Sequence, residues 1–172
     1  MTNKYFTYTL DRGEHAFTVE FVDESTDLPQ DQPYYYATIH MHDAAYVPPG
    51  KRVAVQGYLR IEFERWNRIG DYAWGGGSLQ RAPIDDRPSF MLPALPEGYA
   101  RALVEDFGPE LYEVFTANRA EIAQNARNAQ AARWEGKADE LAAWAERLRT
   151  EASRARAGAD VLKTDAQLER GY

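Results

Sequence analysis

Apolar and polar residues alternate along most of the first 66 positions, and the alternation breaks only at short polar stretches. KYFTYTL (4–10) and AFTVEFV (16–22) have a period of two and are separated by DRGEH, which carries a glycine turn signal. A period of two places successive side chains on opposite faces of a strand, so this pair predicts a β-hairpin. An acidic, proline-bearing loop (23–33) follows, and YYYATIHMH (34–42) alternates again. After the proline–glycine loop DAAYVPPGKR (43–52), VAVQGYLRIEFERW (53–66) gives the longest alternation. Four strands in sequence order predict an antiparallel meander.

Residues 67–96 contain three consecutive glycines and four prolines, which predicts an irregular stretch, with SFML (89–92) as a short edge strand. Beyond Pro96 the spacing of apolar residues becomes helical. EGYARALVEDF (97–107) predicts a helix that stops at Gly108 and restarts with Pro109 in its first turn. The next helix is expected to run to Trp134. KADELAAWAERLRTEASRARA (137–157) then sets Leu141, Trp144, Ala145, Leu148, Ala152 and Ala155 at spacings of three and four. Two layouts fit: one long helix, or a helical hairpin turning near Gly136. Asp139 can cap a second helix, which favours the hairpin. From Gly158 the tail reads as frayed or as a short last helix.

The expected fold class is therefore α+β. An N-terminal antiparallel sheet of four or five strands (1–96) precedes a helical region (97–172), partly packed on the sheet as one domain. Alternation assigns the faces. Phe17, Val19 and Phe21, then Tyr35, Ala37, Ile39 and Met41, then Val53 through Phe63 form an apolar face that the helices should cover. Tyr34, Tyr36, Thr38, His40 and His42 fall on the other face, with Tyr5, Thr7, Glu20, Gln56, Tyr58 and Arg60.

Composition narrows the chemistry. The chain has 172 residues, 44% of them hydrophobic and 13% aromatic, which is enough for a folded core. It has no cysteine, so disulfides, thiol catalysis and cysteine-ligated metals are excluded. No apolar run is long enough for a membrane span, and the polar start MTNKYFTYTL does not read as a signal peptide, so a soluble cytoplasmic protein is expected. The net charge is −7, and residues 1–50 carry most of the excess, eight acids against Lys4 and Arg12. That acidity disfavours direct nucleic-acid binding, which needs basic side chains on phosphates. The excess of arginine over lysine and the abundance of alanine fit a high-GC bacterial or phage source.

His40, His42 and Asp43 are the candidate metal ligands. Two imidazoles two apart on a strand share a face and can chelate zinc, nickel or iron. His15, in the first turn, has no motif that would place it as a further ligand. The plainer reading makes His40 and His42 surface groups, and no cofactor is otherwise implied. Tyrosines on the second face suit an interface, because they bury large area at low entropic cost and keep a polar end. The candidate partner-binding set is Tyr5, Tyr34, Tyr36, Tyr58, Arg60, Glu20 and, from the glycine-rich segment, Trp74. Glu62 and Glu64 read as surface charge. Asp85–Asp86 reads as a solvated pair. GGGS (75–78) lacks the lysine and the strand–helix context of a phosphate loop. No catalytic motif appears.

The expected function is a non-enzymatic protein-binding module. It would be a small acidic regulator or inhibitor from a bacterium, phage or mobile element, acting on a host protein complex. A metal-dependent hydrolase built on His40, His42 and Asp43 is the first alternative. An oligomeric structural protein, assembled as a homodimer through the C-terminal helices at Leu141, Trp144 and Leu148, is the second.

Overall fold

A computed structural model describes residues 5–25, 34–42, 45–64, 72–82, 95, 97–157 and 170. SFML and nearly all of the tail from Gly158 lie outside the described residues. The elements are β1 (Phe6–Arg12), β2 (His15–Asp23), β3 (Tyr35–His40), β4 (Val55–Phe63), β5 (Tyr72–Arg81) and α1 (Glu97–Arg156). All neighbouring strands pair antiparallel, in the order β1-β2-β3-β4-β5. The fold is α+β, as the periodicity implies. The chain divides into two compact units, Met1–Asn128 and Ala129–Tyr172.

In the first unit the sheet and the first half of α1 share one core. The register aligns Phe21 with Ala37, Ala37 with Ile61, and Val19 with Ile39 and Leu59, so the apolar positions of successive strands fall on one side. Ala100, Leu103, Val104, Phe107, Leu111, Phe115 and Ile122 of α1 join that cluster. The Phe63 and Phe115 rings stack with centroids 4.9 Å apart, and Phe107 lies 5.5 Å from Phe17. Full burial of a phenylalanine contributes about 1.5–3 kcal/mol. This apolar contact dominates the attachment of the helix.

Polar bonds at the edge of the core set where the helix sits. Arg12 pairs with Asp106 at 3.3 Å and with Glu110 at 2.6 Å, and its guanidinium lies 5.3 Å from the centre of the Phe107 ring. The Tyr8 hydroxyl donates to Glu110 at 2.8 Å, and the Tyr46 hydroxyl donates to Asp106. Partly exposed ion pairs contribute about 0.2–1 kcal/mol each, so these bonds orient more than they stabilise. Burial alone would raise the Glu110 carboxyl, but hydrogen bonds from Arg12 and Tyr8 hold it below its ordinary value.

Three expectations are corrected. First, the glycine-rich stretch is not a loop, because Tyr72–Arg81 forms β5. Glycine is required where β4 and β5 approach. A Cβ at Gly57 would lie 1.9 Å from the Ser78 carbonyl oxygen, and one at Gly77 would lie 2.4 Å from that of Tyr58. The pairing shifts register between Arg60 and Ile61, which leaves Gly75 without a partner on β4. Second, α1 does not stop at Gly108–Pro109. Proline interrupts the helical hydrogen-bond ladder, but Phe107 and Leu111 on either side are both fully buried, and that packing holds the two segments in one helix. Third, residues 109–156 form no hairpin. The helix passes through Gly136, at about 1 kcal/mol relative to alanine.

In the second unit, residues 131–143 are exposed, and Trp144, Ala145 and Leu148 are half-covered. Lys137–Glu140, Glu146–Arg149 and Glu151–Arg154 pair one turn apart, and Arg154 and Arg156 in the last turn suit the helix dipole. Among the described residues no helix is long and apolar enough to cross a membrane.

Two predictions follow from this packing. A Cβ at Gly108 would lie 2.2 Å from Cε2 of Tyr72, in a ring that cannot simply swing aside. Helix propensity favours Gly108→Ala by about 1 kcal/mol. The overlap should outweigh it, giving a net loss of about 1–3 kcal/mol in urea unfolding; a more stable variant would count against this packing. Burial, together with the bond to Asp106, pushes the Tyr46 phenol from 10.0 up to about 12. The folded state therefore holds that proton more tightly than the unfolded chain. The contribution is complete below pH 10 and is lost as pH rises towards about 12. Stability should fall less steeply across that window in Tyr46→Phe than in the parent, and equal slopes would refute the assignment.

Candidate functional site

The face of the sheet opposite α1 carries the candidate residues, and the strand register arranges them in rows. Thr9, Thr18, His40, Tyr58 and Ser78 form one row across all five strands. Thr7, Glu20, Thr38, Arg60 and Gly76 form the next. Val22, Tyr36, Glu62 and Ala73 form a third, from β2 to β5. The first row is built of hydroxyls and one imidazole, without a carboxylate, lysine or arginine.

The third row is less open than its composition suggests. Val22, Tyr34 and Tyr36 form a small buried cluster of their own, with the tyrosines only 9% and 7% exposed. Their rings lie 5.3 Å apart. The Tyr34 hydroxyl donates to Glu62 at 2.9 Å, and the Tyr36 hydroxyl donates to Glu24 at 2.8 Å. Burial and these carboxylates push both phenols above their ordinary value. The β2–β3 end is braced from below: the Ser25 hydroxyl donates to Asp23 and accepts from the Tyr34 amide at 2.9 Å.

Arg60 completes this cluster. Its guanidinium lies 4.3 Å from the centre of the Tyr36 ring and donates to the Tyr34 oxygen at 3.3 Å. Burial works against its charge, but the Tyr34 oxygen and the neighbouring phenols and Glu24 outweigh it and hold its pKa above the ordinary value. Glu62 is a correction. It is not a surface charge but is 91% buried, and Gly75 leaves it room, since a Cβ there would lie 2.2 Å from its Cγ. Glu64 does lie nearer the surface and pairs with Arg119 of α1 at 2.9 Å.

The histidines fall on the open face, as the alternation requires. His40 Nε2 lies 3.2 Å from Glu20, and the His40 and His42 rings are 6.1 Å apart. Asp43 lies outside the described residues. His15 belongs to the other face, where its ring is 6.3 Å from Phe17 and 5.5 Å from Tyr46. It cannot supply a third ligand to this pair. Among the described residues no three histidine, aspartate or glutamate side chains gather as a metal site.

Of the remaining candidates, Tyr58 is 39% exposed in the first row, and Tyr5, also 39% exposed, precedes β1. Trp74 pairs with Ile61, so the register sets it on the α1 side of the sheet edge, away from the tyrosine rows. The sequence reading missed two parts of this site: Glu24, which bonds Tyr36, and the role of the glycines of β5. Glu62 shares an alternation face with the tyrosines, which was the one available signal that it could meet them.

No family model, no curated protein and no solved structure matches this chain.

The cluster makes one stability prediction. Tyr34→Phe removes a bond to a buried carboxylate and an acceptor for Arg60. It should lower unfolding stability by about 1–2 kcal/mol. A urea midpoint matching the parent would show that Glu62 and Arg60 do not depend on this hydroxyl.

Proposed function

We propose that this chain is a non-enzymatic protein-binding module that docks through the open face of its sheet. The observation that carries the reading is the contrast between the two faces. One is occupied by α1, whereas the other presents a five-strand row of hydroxyl and imidazole groups with Tyr58 standing exposed in it. Such a row desolvates at lower cost than a charged one, and tyrosine supplies contact area with few rotatable bonds. Tyr34 and Tyr36 act beneath this surface as a platform and not as contacts. The acidic first segment, eight acids against two bases in residues 1–50, suits a partner with basic character. A small regulator or inhibitor of a host protein complex, carried by a phage or mobile element, fits this description.

The test compares capture from a host lysate by the parent and by a Tyr5→Ala/Tyr58→Ala variant of matched thermal stability. The double variant should retain a specific partner at least about tenfold less well, as expected on removing interface aromatics. Binding should also weaken as salt rises from 0.05 to about 0.5 M. Equal capture by both proteins would rule out the open face as the docking surface.

A further inference from the structure

We propose that Arg60 and the gap opposite it form a recognition notch for a single carboxylate, presented by the protein partner; this rests on the docking reading above. Arg60 sits near the middle of the open face, opposite Thr38 on β3 and Gly76 on β5. Its guanidinium lies over the Tyr36 ring, 4.3 Å from the centre, and the Tyr34 oxygen takes one of its hydrogen bonds. Among the described residues no carboxylate pairs with it, in contrast to Arg12, Arg101, Arg119, Arg149 and Arg154. Glu24 and Glu62, the carboxylates beside it, are bonded by Tyr36 and Tyr34 instead. A guanidinium has five N–H donors in a planar fork that matches a carboxylate, so most of its donor capacity remains.

Gly76 leaves the space. Among the described residues, a Cβ built there would meet nothing within 4 Å, whereas one at Gly75 would overlap Glu62 and one at Gly77 would overlap the Tyr58 backbone. The opening in β5 therefore lies opposite Arg60, flanked on β4 by Tyr58 and Glu62. The contact with the Tyr36 ring and the bond to Tyr34 restrain the fork before binding, which reduces the ordering cost of recognition. The two neighbouring glutamates select for low charge. They disfavour a dianionic phosphate or a nucleic-acid backbone more than a monoanionic carboxylate.

The test is a nuclear magnetic resonance titration of the full chain with sodium acetate, balanced by sodium chloride at constant ionic strength, with inorganic phosphate in a parallel arm. The Nε–H of Arg60 and the amide of Gly76 are followed. Acetate should give a saturable shift at both positions. Arg60→Gln should abolish it, and Arg60→Lys, which keeps the charge without the fork, should weaken it about tenfold. Each variant is first matched to the parent by thermal unfolding. A linear, chloride-like response in the parent overturns the proposal, as does a saturable shift that survives in Arg60→Gln. Tighter saturation by phosphate overturns the carboxylate assignment. The titration needs no partner. A saturable acetate shift alongside failed capture would leave the notch and remove the docking reading, and the reverse pattern would remove only the notch.

Discussion

The contact between Phe107 and Phe115 of α1 and the phenylalanines of the sheet underlies the rest of the first unit. These rings, with Leu103, Leu111 and Ile122, close one face of a sheet that is otherwise open on both sides. A sheet of this size needs a covered face to be stable, and the helix supplies it. Once that face is covered, the alternation of every strand puts the remaining side chains on the opposite face, where the Thr18–His40–Tyr58 row is open and the Val22–Tyr36–Glu62 row is buried. The division into a core side and a displayed side is a consequence of one packing event.

Polar groups appear where apolar packing cannot specify position. At one edge Arg12, Tyr8 and Tyr46 converge on Asp106 and Glu110, two carboxylates a single turn apart on α1. On the open face Tyr34 bonds Glu62, Tyr36 bonds Glu24, and Arg60 lies against both tyrosines. Both clusters combine phenols, a guanidinium and carboxylates, and in both the phenols are held protonated by burial and by acceptors. Their surroundings differ. The Arg12 cluster joins two elements and has its guanidinium paired with carboxylates. The Arg60 cluster lies on one sheet, and its guanidinium rests on the Tyr36 ring and the Tyr34 oxygen, with no carboxylate paired to it among the described residues.

β5 shapes the displayed face by what it lacks. Three consecutive glycines remove side chains over Glu62, Arg60 and the Tyr58 backbone in turn. Two of those absences are needed for packing, since any Cβ would collide. The third, at Gly76, leaves space beside Arg60. Tyr34 and Tyr36 are largely buried and lie against Arg60.

The α+β class, the meander order of β1 to β4 and most core positions of β2 to β4 were legible in the sequence alone. A period of two permits only one apolar face, and a shift of one residue would turn all those side chains outward. The same rule placed His40, Tyr58 and Arg60 together on the other side. Tertiary structure alone decided the rest. Glycine carries no side-chain pattern, so β5 could be seen only from the close backbone approach at Gly57 and Gly77. Proline and glycine mark helix ends when local preference rules, yet burial of Phe107 and Leu111 against one sheet carried α1 through Gly108 and Pro109. Glu62 looks like any exposed strand glutamate until Tyr34 and Gly75 are brought to it from other strands. In each case the deciding contact came from residues distant in sequence, where local pattern has no reach.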